Sequence, residues 1–365
     1  MEWERIVIIN INKLGWNEYF EKSFKALENE GFTIENGYTV GRVFAEHKHI
    51  YKLYTEAGEV LAEISGKFRF EVLQQEEYPA VGDWVVISLR SEEKRATIHK
   101  VLSRKSKFSR KVAGFETREQ IVASNVDTVF LVNALNNDFN ARRIERYLIM
   151  AWESGADPVI LLSKADICTD LEGMIEEAEI AAMGVPIHVV STVDGRGLEE
   201  LNQYLKPGKT IALLGSSGVG KSTLINYLAQ EELQKTKEVR QCDDRGRHTS
   251  TSREMFVLNS GVIMIDTPGM REMQMWNGGE GISEAFEDVE ELATRCRFND
   301  CKHKKEPGCA VRHAIENGSL QADRFENYIR LQKEIKIAEQ KQAAIERIKG
   351  KKKNKEYIRF KCEGA

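Results

Sequence analysis

The residues with the clearest chemical purpose form one short loop, from Gly215 to Ser222 (GSSGVGKS), which fits the phosphate-loop pattern. The loop follows a strand-like stretch, Thr210–Leu214, and precedes a helix-like one, Thr223–Leu228. Glycines allow a turn tight enough for backbone N–H groups to converge, and the dipole of a helix N-terminus favours an anion there. The pattern therefore predicts a phosphate site; a glycine-rich turn that contains Lys-Ser by coincidence is the alternative.

Two side chains of this loop are expected to act on the nucleotide directly. Lys221 would contact the β and γ phosphates, and the Ser222 hydroxyl would bind Mg²⁺. The nucleotide-binding residues predicted in and just after the loop are Gly215, Ser216, Ser217, Gly218, Val219, Gly220, Lys221, Ser222 and Thr223.

A second phosphate element follows the strand-like stretch Gly261–Ile265, where the chain reads Asp-Thr-Pro-Gly from Asp266 to Gly269. A carboxylate at the tip of a strand beside a phosphate loop can hold Mg²⁺ through water, and the N–H of Gly269 can meet a γ-phosphate. Alone, these residues would be an ordinary turn. Together with the phosphate loop they favour a hydrolase with a nucleotide-dependent switch over a kinase.

The stretch Ser163–Asp166 (SKAD) has the composition of a guanine-reading loop. A carboxylate that accepts from both N1–H and the 2-amino group selects guanine, since adenine offers neither donor there. The stretch resembles the Asn-Lys-x-Asp motif, which implies Asp166 as the reader and the Lys164 stem lying on the base. Serine at 163 departs from that motif. It lacks the amide that ties this loop to the phosphate loop, so we expect weaker base affinity.

A companion loop, Ser191–Gly197 (STVDGRG), resembles the segment that supports the base in GTPases, and Ser191 and Thr192 are its predicted nucleotide-binding residues. Each of the two loops alone is equally well explained as a plain turn. Their order is the discriminating feature. In ordinary GTPases the phosphate loop comes first and the guanine loops last, whereas here both guanine loops precede the phosphate loop. The order indicates a circular permutation.

A cluster of metal-ligand residues lies further along the chain, with three of the six cysteines inside fourteen positions. Three thiolates and an imidazole at this short spacing satisfy a closed tetrahedral Zn²⁺ site, which would be structural. Reduced cysteines in a small core are the alternative. The predicted ligands are Cys296, Cys301, His303 and Cys309.

The elements that must position these groups change character along the chain. From about Gly37 to Val101, short alternating strands predict a small barrel, for which the OB-fold is one candidate. After Asp127, apolar runs alternate with helical stretches, which is typical of a parallel α/β sheet. The strands predicted in the barrel are Tyr38–Phe44, Ile50–Tyr54, Val60–Ile64, Phe68–Val72, Gly82–Ile87 and Ala96–Val101.

The segments between and beyond these regions are less informative. Residues 1–34 contain an apolar stretch and a helical pattern that ends near Gly31, with no function indicated. Lys100–Lys111 has six basic residues and no acid, and composition favours a solvated linker over a strip that faces phosphates. Near the end we predict an acidic helix over Glu284–Glu291 and a long polar helix from about Ala322 to Ile348.

Composition limits the class of protein. The chain has 365 residues, 53 Lys+Arg against 57 Asp+Glu and a net charge of −4, so a wholesale basic nucleic-acid binder is disfavoured. Apolar runs fall short of a membrane span, and the first residues lack the pattern of a signal peptide. Sparse cysteines exclude a disulfide scaffold. We therefore expect a cytosolic globular protein of two or three domains, without membrane contact.

In motif order the sequence resembles the circularly permuted YjeQ/RsgA family, the ribosome small subunit-dependent GTPase A proteins. The resemblance implies a multidomain fold with an N-terminal OB-fold β-barrel, a central α/β permuted phosphate-loop GTPase and a C-terminal, mostly helical zinc-binding domain. Its expected segments are a 1–34 extension, a 35–106 RNA-binding barrel, a 107–280 GTPase domain and a 281–365 zinc domain with a basic tail.

The resemblance also implies roles for a polar stretch, Gly246–Thr251, at the position of switch I. Thr251 is the first candidate there for a Mg²⁺ ligand and Thr249 the second. Met270 stands where many GTPases carry a water-positioning glutamine, and methionine cannot orient water. The resemblance implies that His248 supplies this polar contact instead and is the catalytic residue; a solvated loop histidine is the alternative.

The family acts in late maturation of the small ribosomal subunit. The resemblance thus implies binding of the 30S subunit and 16S rRNA, hydrolysis of GTP to GDP with ribosome stimulation, one structural Zn²⁺, Mg²⁺ with GTP, and a monomer. Two rivals keep the nucleotide motifs: a nucleotide-gated module for a non-ribosomal RNA, and a phosphate-loop kinase that prefers ATP.

Overall fold

The computed structural model describes residues 10–47, 50–72, 75–111, 119–182, 184–230, 254–266, 279–337 and 340. Internal contacts divide the chain into two units. The first comprises Met1–Ser109 and Gln120–Glu272, and the second comprises Arg110–Glu119 and Met273–Ala365.

The N-terminal part of the first unit is a closed five-stranded barrel. Its strands follow the order β1-β2-β3-β5-β4, and β1 closes the barrel by pairing with β4 as well. All pairs are antiparallel except β3 with β5. This confirms the predicted OB-like barrel. The strands are β1 (Tyr38–His47), β2 (Ile50–Thr55), β3 (Gly58–Ile64), β4 (Trp84–Arg90) and β5 (Arg95–Val101).

One predicted barrel strand is wrong: Phe68–Val72 lies mostly in a helix, α2 (Gly66–Glu71). Ser65 begins this helix, because its hydroxyl accepts a hydrogen bond from the N–H of Phe68 at 3.0 Å. Phe68 is buried in the barrel core, whereas Phe70 is exposed. The alternation of apolar and polar residues that suggested a strand therefore falls in a short capped helix.

The segment before the barrel has a structural role that its sequence did not reveal. Residues 11–30 form two short 3₁₀ helices and one α-helix, α1 (Glu18–Lys25). Phe20 and Phe24 of α1 pack with Leu14 against Trp84 of the barrel. This segment therefore covers one side of the barrel and buries an aromatic cluster there.

The rest of the first unit is a sheet with the order β10-β9-β8-β11-β13-β12. Its first five strands run parallel, and β12 is antiparallel to β13. The carboxyl ends of the parallel strands meet at one edge, where α/β proteins bind their ligands. The strands are β8 (Thr128–Ala134), β9 (Asp157–Ser163), β10 (Ile187–Val189), β11 (Thr210–Leu214), β12 (Glu254–Val257) and β13 (Ile263–Asp266).

Helices connect these strands as the alternating pattern predicted. Asn140 caps the first, because its side chain accepts from the N–H of Arg143 at 3.1 Å. Four of the strands, β8, β9, β11 and β13, are buried almost throughout, and apolar residues from these four form one core with the helix after the phosphate loop. The helices are α3 (Ala141–Ser154), α4 (Leu171–Ala181) and α5 (Lys221–Ala229).

Barrel and sheet are joined, among other contacts, at two places within this unit. The first is a strand pairing, in which β1 of the barrel lies antiparallel to β12 with Ala45 opposite Glu254. The second is Arg42 of β1, which is 1% exposed and donates to Thr210 Oγ1 at 2.8 Å, at the start of β11. The same guanidinium donates to the Leu14 and Gly82 carbonyls. Burial lowers the pKa of Arg42 to about 10, so the group stays charged at neutral pH.

The basic stretch interpreted as a linker contains regular structure. Lys107–Lys111 forms a strand, β6, that pairs with β7 (Glu119–Ser124) in a separate two-stranded sheet. Lys105 forms an ion pair with Asp127 at 3.3 Å. Part of the positive charge in this stretch is thus compensated locally.

The described residues of the second unit from 279 onward are mostly helical. The predicted acidic helix is interrupted at Phe286, which is fully buried with Val289 and Leu331. Arg324 holds two helices together, since it donates to both oxygens of Asp288 at 2.8 Å. Among the residues described, no helix is both long and apolar enough to cross a membrane. The helices are α6 (Gly279–Ala285), α7 (Glu287–Thr294), α8 (Ala310–Glu316) and α9 (322–337).

Candidate nucleotide and metal sites

The phosphate loop connects β11 to α5 at the carboxyl edge of the sheet, as its sequence predicted. Gly215 has a φ of 153°, and a Cβ there would lie 2.3 Å from the Val132 carbonyl of β8. Gly220, with a φ of 97°, turns the chain into α5. Both positions need glycine, because the loop passes against a neighbouring strand and then reverses into a helix.

Lys221 is already held in place by the loop that it would serve. Its ammonium group donates to the carbonyls of Gly215 and Ser216, each at 2.7 Å. Lys221 is the first residue of α5, so the ammonium lies near the positive end of the helix dipole. This end of α5 therefore presents a fixed cation and backbone N–H groups, which is suited to an anion.

Asp266 ends β13 beside the phosphate loop. In the parallel pairing of β11 and β13 it lies opposite Leu213, two residues before Gly215, and it is 7% exposed. A carboxylate is thus next to the loop, as expected for a group that holds Mg²⁺ through water. The other predicted switch residues, His248, Thr249, Thr251 and Gly269, lie outside the described residues.

The two guanine-type loops meet at the ends of β9 and β10. Ser191 donates its hydroxyl proton to Asp166 Oδ1 at 2.8 Å, while the N–H groups of Val193 and Asp194 donate to the same hydroxyl. The Asp166 side chain is exposed, whereas Ser191 is buried. Ser191 therefore orients the carboxylate that is expected to read the base. Thr192 follows in the same turn, half-buried.

Ser163 corrects one sequence-based expectation. Its hydroxyl lies 2.7 Å from the Val219 carbonyl of the phosphate loop and 3.3 Å from the Asn133 carbonyl of β8. The missing amide therefore does not remove the tie between the guanine loop and the phosphate loop, while the weaker base affinity expected from it stays a prediction. A shorter side chain serves because the two loops approach closely, and this distance could not be read from the sequence.

We expect Ser163→Ala to weaken GDP and GTP binding about 5- to 10-fold. The substitution leaves the buried Val219 carbonyl without this donor and frees the phosphate loop from the guanine loop. Titration with a fluorescent GDP derivative measures the effect. Thr169→Ala, an exposed hydroxyl in the next turn, is the matched control. Equal affinity of Ser163→Ala and wild type would show that this tie does not order the site.

Two residues near the phosphate loop were missed by sequence reasoning. Asp138 lies in the loop after β8 and Arg143 in the first turn of α3, and both contact the Ser216 hydroxyl at 2.8 Å. Neither belongs to a recognised motif. They are more than seventy residues away from Ser216 along the chain, so only the fold brings them together.

The predicted metal ligands converge in the second unit. Their four ligand atoms lie within 4.8 Å of one another. Tetrahedral bonds to Zn²⁺ would separate two sulfurs by about 3.8 Å, and a sulfur from a nitrogen by about 3.6 Å. The sulfurs of Cys296 and Cys309 are 3.9 Å apart, and Nδ1 of His303 lies 3.6 and 3.4 Å from them. The group, completed by Cys301, therefore fits a tetrahedral metal ion.

The surroundings of these ligands fix their positions. Cys309 caps α8, since its sulfur accepts from the Arg312 N–H at 3.4 Å. The Glu306 carboxylate accepts from the N–H groups of Lys302, Lys304 and Lys305. Backbone hydrogen bonds of this kind, from its own N–H and that of Lys304 first, lower the pKa of Glu306 to about 2. The ligand loop is thus closed by a carboxylate that stays ionised at neutral pH.

Comparison with known proteins identifies the family. The model of the RsgA GTPase family matches residues 101–276. Small ribosomal subunit biogenesis GTPase RsgA 2 of Lactiplantibacillus plantarum is 45% identical over 88% of this chain and 91% of its own length. The chain belongs to the RsgA GTPase family. This RsgA GTPase is accordingly a GTP hydrolase with circularly permuted motifs, as its sequence predicted.

Other similarities agree with the assignment of the chain to this family. A relative from Methanosarcina acetivorans, also named small ribosomal subunit biogenesis GTPase RsgA, is 40% identical over 91% of the chain and 87% of its own length. The crystal structure of YjeQ from Thermotoga maritima aligns with a TM-score of 0.61 at 28% identity, covering 82% of this chain and 98% of that one.

Two further matches add less evidence for the family assignment. YloQ, described as a circularly permuted GTPase, aligns with a TM-score of 0.58 at 22% identity, covering 82% of this chain and 95% of its own, and supports the fold. An ABC transporter model matches residues 198–358 of this RsgA GTPase, a range that includes the phosphate loop. That range begins inside the match to the RsgA model and omits both guanine-type loops, so it does not alter the assignment.

Proposed function

We propose that this GTPase binds the small ribosomal subunit through 16S rRNA, assists late maturation of that subunit in the cytoplasm, and hydrolyses GTP faster when bound there. The names of its relatives as small ribosomal subunit biogenesis GTPases support the partner. The single observation that supports the coupling is the position of β12. This strand pairs with β13, which ends in Asp266, and with β1 of the barrel.

The consequence of that pairing is mechanical. Asp266 is the predicted Mg²⁺ contact, and its strand neighbour β12 also forms part of the sheet that runs into the barrel. A change at the nucleotide edge that moves β12 would therefore move β1. OB-folds bind oligonucleotides on their barrel surface. The barrel is thus suited to hold rRNA in a way that depends on the nucleotide.

The metal cluster adds a second surface for rRNA. We propose that its ion is one structural Zn²⁺, bound by the three thiolates and one imidazole described above. Six cations surround the cluster, five of them exposed and Arg312 half-buried, and cations supply most of the affinity for phosphate backbones. Some of them also pair with carboxylates, as Arg295 does with Glu291 and Arg312 with Glu316. The cations are Arg295, Arg297, Lys302, Lys304, Lys305 and Arg312.

For catalysis we propose that the phosphate loop binds the phosphates and Asp166 reads the guanine. Mg²⁺ would be held by Ser222, by Thr251 or Thr249, and through water by Asp266, and would neutralise charge on the phosphates. Gly269 would donate its N–H to the γ-phosphate. His248 would orient the attacking water once the subunit orders its loop. The protein would act as a monomer.

The decisive experiment measures GTP hydrolysis with and without purified small subunits, for the wild type and for His248→Ala. We expect the subunits to stimulate the wild type, and the substitution to remove the stimulation without changing GDP affinity. His313→Ala, an exposed histidine on α8, is the control. Unstimulated wild-type hydrolysis would refute the proposed partner, and full stimulation of His248→Ala would refute the proposed role of the histidine.

A binding experiment separates ribosomal from other RNA partners. Sedimentation with separated subunits, in the presence of GDP, a non-hydrolysable GTP analogue or no nucleotide, should show retention on the small subunit with the analogue. Equal retention in all three states would contradict the coupling through β12. Absence from the small subunit would favour a different RNA.

A further inference from the structure

A closed hydrogen-bonded triangle joins Ser216 of the phosphate loop to Asp138 and Arg143. The Ser216 hydroxyl donates to Asp138 Oδ2 and accepts from Arg143 Nη1, each at 2.8 Å. The same Nη1 donates to Asp138 Oδ2 at 2.8 Å, and Nη2 donates to Asp138 Oδ1 at 3.2 Å. A hydroxyl has one proton to donate, and here that proton is committed to Asp138.

The triangle joins a buried group to two partly exposed ones. Ser216 is 9% exposed, whereas the side chains of Arg143 and Asp138 are 28% and 48% exposed. An ion pair with this much solvent contact adds little stability by itself. The carboxylate nevertheless raises the pKa of Arg143, mainly through their hydrogen bond. The specific effect of the pair is therefore the orientation of the Ser216 hydroxyl.

Both partners are themselves held rigidly. Arg143 lies in the first turn of α3, where its N–H donates to the capping Asn140 side chain at 3.1 Å. The N–H of Asp138 donates to Asn136 Oδ1 at 3.0 Å, which fixes the loop after β8. The triangle therefore connects the phosphate loop to a capped helix and a hydrogen-bonded turn.

The carbonyl of Ser216 connects this triangle to the nucleotide site. It accepts a hydrogen bond from Lys221 Nζ at 2.7 Å, as the Gly215 carbonyl does. A residue fixed by its side chain presents its carbonyl at a fixed point, so the triangle limits where the Lys221 ammonium can lie. Binding groups ordered before the ligand arrives lose less entropy on binding.

We infer that Asp138 and Arg143 are positioning residues for GTP hydrolysis, which hold Ser216 and thereby the Lys221 ammonium in the arrangement that receives the phosphates of GTP. This inference rests on the proposed phosphate-binding role of Lys221. It does not depend on the ribosomal partner, because the triangle is complete within one unit of the chain.

The test compares ligands with and without phosphates. We expect Arg143→Ala, Asp138→Asn and Ser216→Ala each to raise the Kd for GDP and for a non-hydrolysable GTP analogue about 3- to 10-fold. Guanosine has no phosphates, so it should displace a fluorescent guanine nucleoside from each variant as well as from the wild type. Arg143→Lys, which keeps one donor but loses the fork, should fall between wild type and Arg143→Ala.

A double-mutant cycle tests whether these residues act as one group. Arg143→Ala combined with Ser216→Ala should bind GDP no worse than the weaker single variant, because either change opens the same triangle. Arg142→Ala, an exposed cation one residue earlier, serves as the control. Steady-state kinetics on the full-length protein should show the loss mainly in KM, with unfolding midpoints in urea recorded for every variant.

Three results would overturn the inference. Guanosine affinity that falls by the same factor as GDP affinity would show a merely structural role. Additive losses in the double variant would show that the residues act independently, and GDP affinity within about twofold of wild type in Arg143→Ala would show no role. A Lys221→Ala reference with unchanged GDP affinity would instead refute the proposed phosphate role of Lys221, so the two failures are distinguishable.

Discussion

Replacing Lys221 with alanine is expected to lower kcat/KM for GTP about 10²- to 10³-fold. The structure places this ammonium at the N-terminal end of α5, held 2.7 Å from two loop carbonyls that are already arranged around it. Charge that develops on the transferred phosphoryl group is stabilised by such preordered cations, and the stabilisation is large because the cation needs no reorganisation during the reaction. Phosphate release measured over a range of GTP concentrations gives the effect.

The controls for this prediction separate charge from position. Lys221→Arg keeps the charge in a planar group that cannot fit between the carbonyls of Gly215 and Ser216, so it should remain strongly impaired. Lys206→Ala removes an exposed lysine that precedes β11 and should hydrolyse GTP normally. If Lys221→Ala hydrolyses GTP within about threefold of the wild type, the loop is not the phosphate site, and the proposed mechanism has no cation at its centre.

The nucleotide edge of the fold could be predicted from sequence because its chemistry constrains local spacing. The stretch Thr210–Leu214 was predicted as a strand with the bounds that the structure shows. The phosphate loop and both guanine loops lie at the ends of strands, as the motifs require. Their permuted order was readable for the same reason, since the order of motifs along a chain does not depend on packing.

Features that depend on distance in space were not predictable. The role of Ser163 was misjudged because a motif states which residue is usual, and not how closely two loops approach in this chain. The triangle of Asp138, Arg143 and Ser216 has no sequence signature, since its members lie in separate elements. In the barrel, the alternation of apolar and polar residues at 68–72 indicated a strand. The structure has a helix there, which the hydroxyl of Ser65 caps.

The second of the large effects concerns the metal. If the four ligands hold the proposed Zn²⁺, its removal from the full-length protein is expected to unfold the helices of the second unit while GDP binding persists. The described part of this unit has a small core, and the ligands lie next to its helix ends: Cys296 follows α7, and Cys309 caps α8. In small metal domains, binding of a structural Zn²⁺ supplies an apparent 10 kcal/mol or more, about the whole stability of a domain. Loss of far-UV helical signal on addition of a chelator would measure the unfolding.

Single substitutions of the proposed zinc ligands test the role of the metal without a chelator. Cys301→Ser should be purified with less than one equivalent of zinc by elemental analysis, and its second unit should be cut early in limited proteolysis. His303→Cys keeps four ligands and should retain the ion, because Zn²⁺ accepts four thiolates equally well. Cys168→Ser changes a thiol of the first unit and should retain both metal and fold.

Nucleotide binding should survive in all three variants, since every described nucleotide group lies in the first unit. Wild-type protein that contains no metal, yet shows full helicity and resists proteolysis, would mean that the four residues are a reduced thiol cluster stabilised by packing alone.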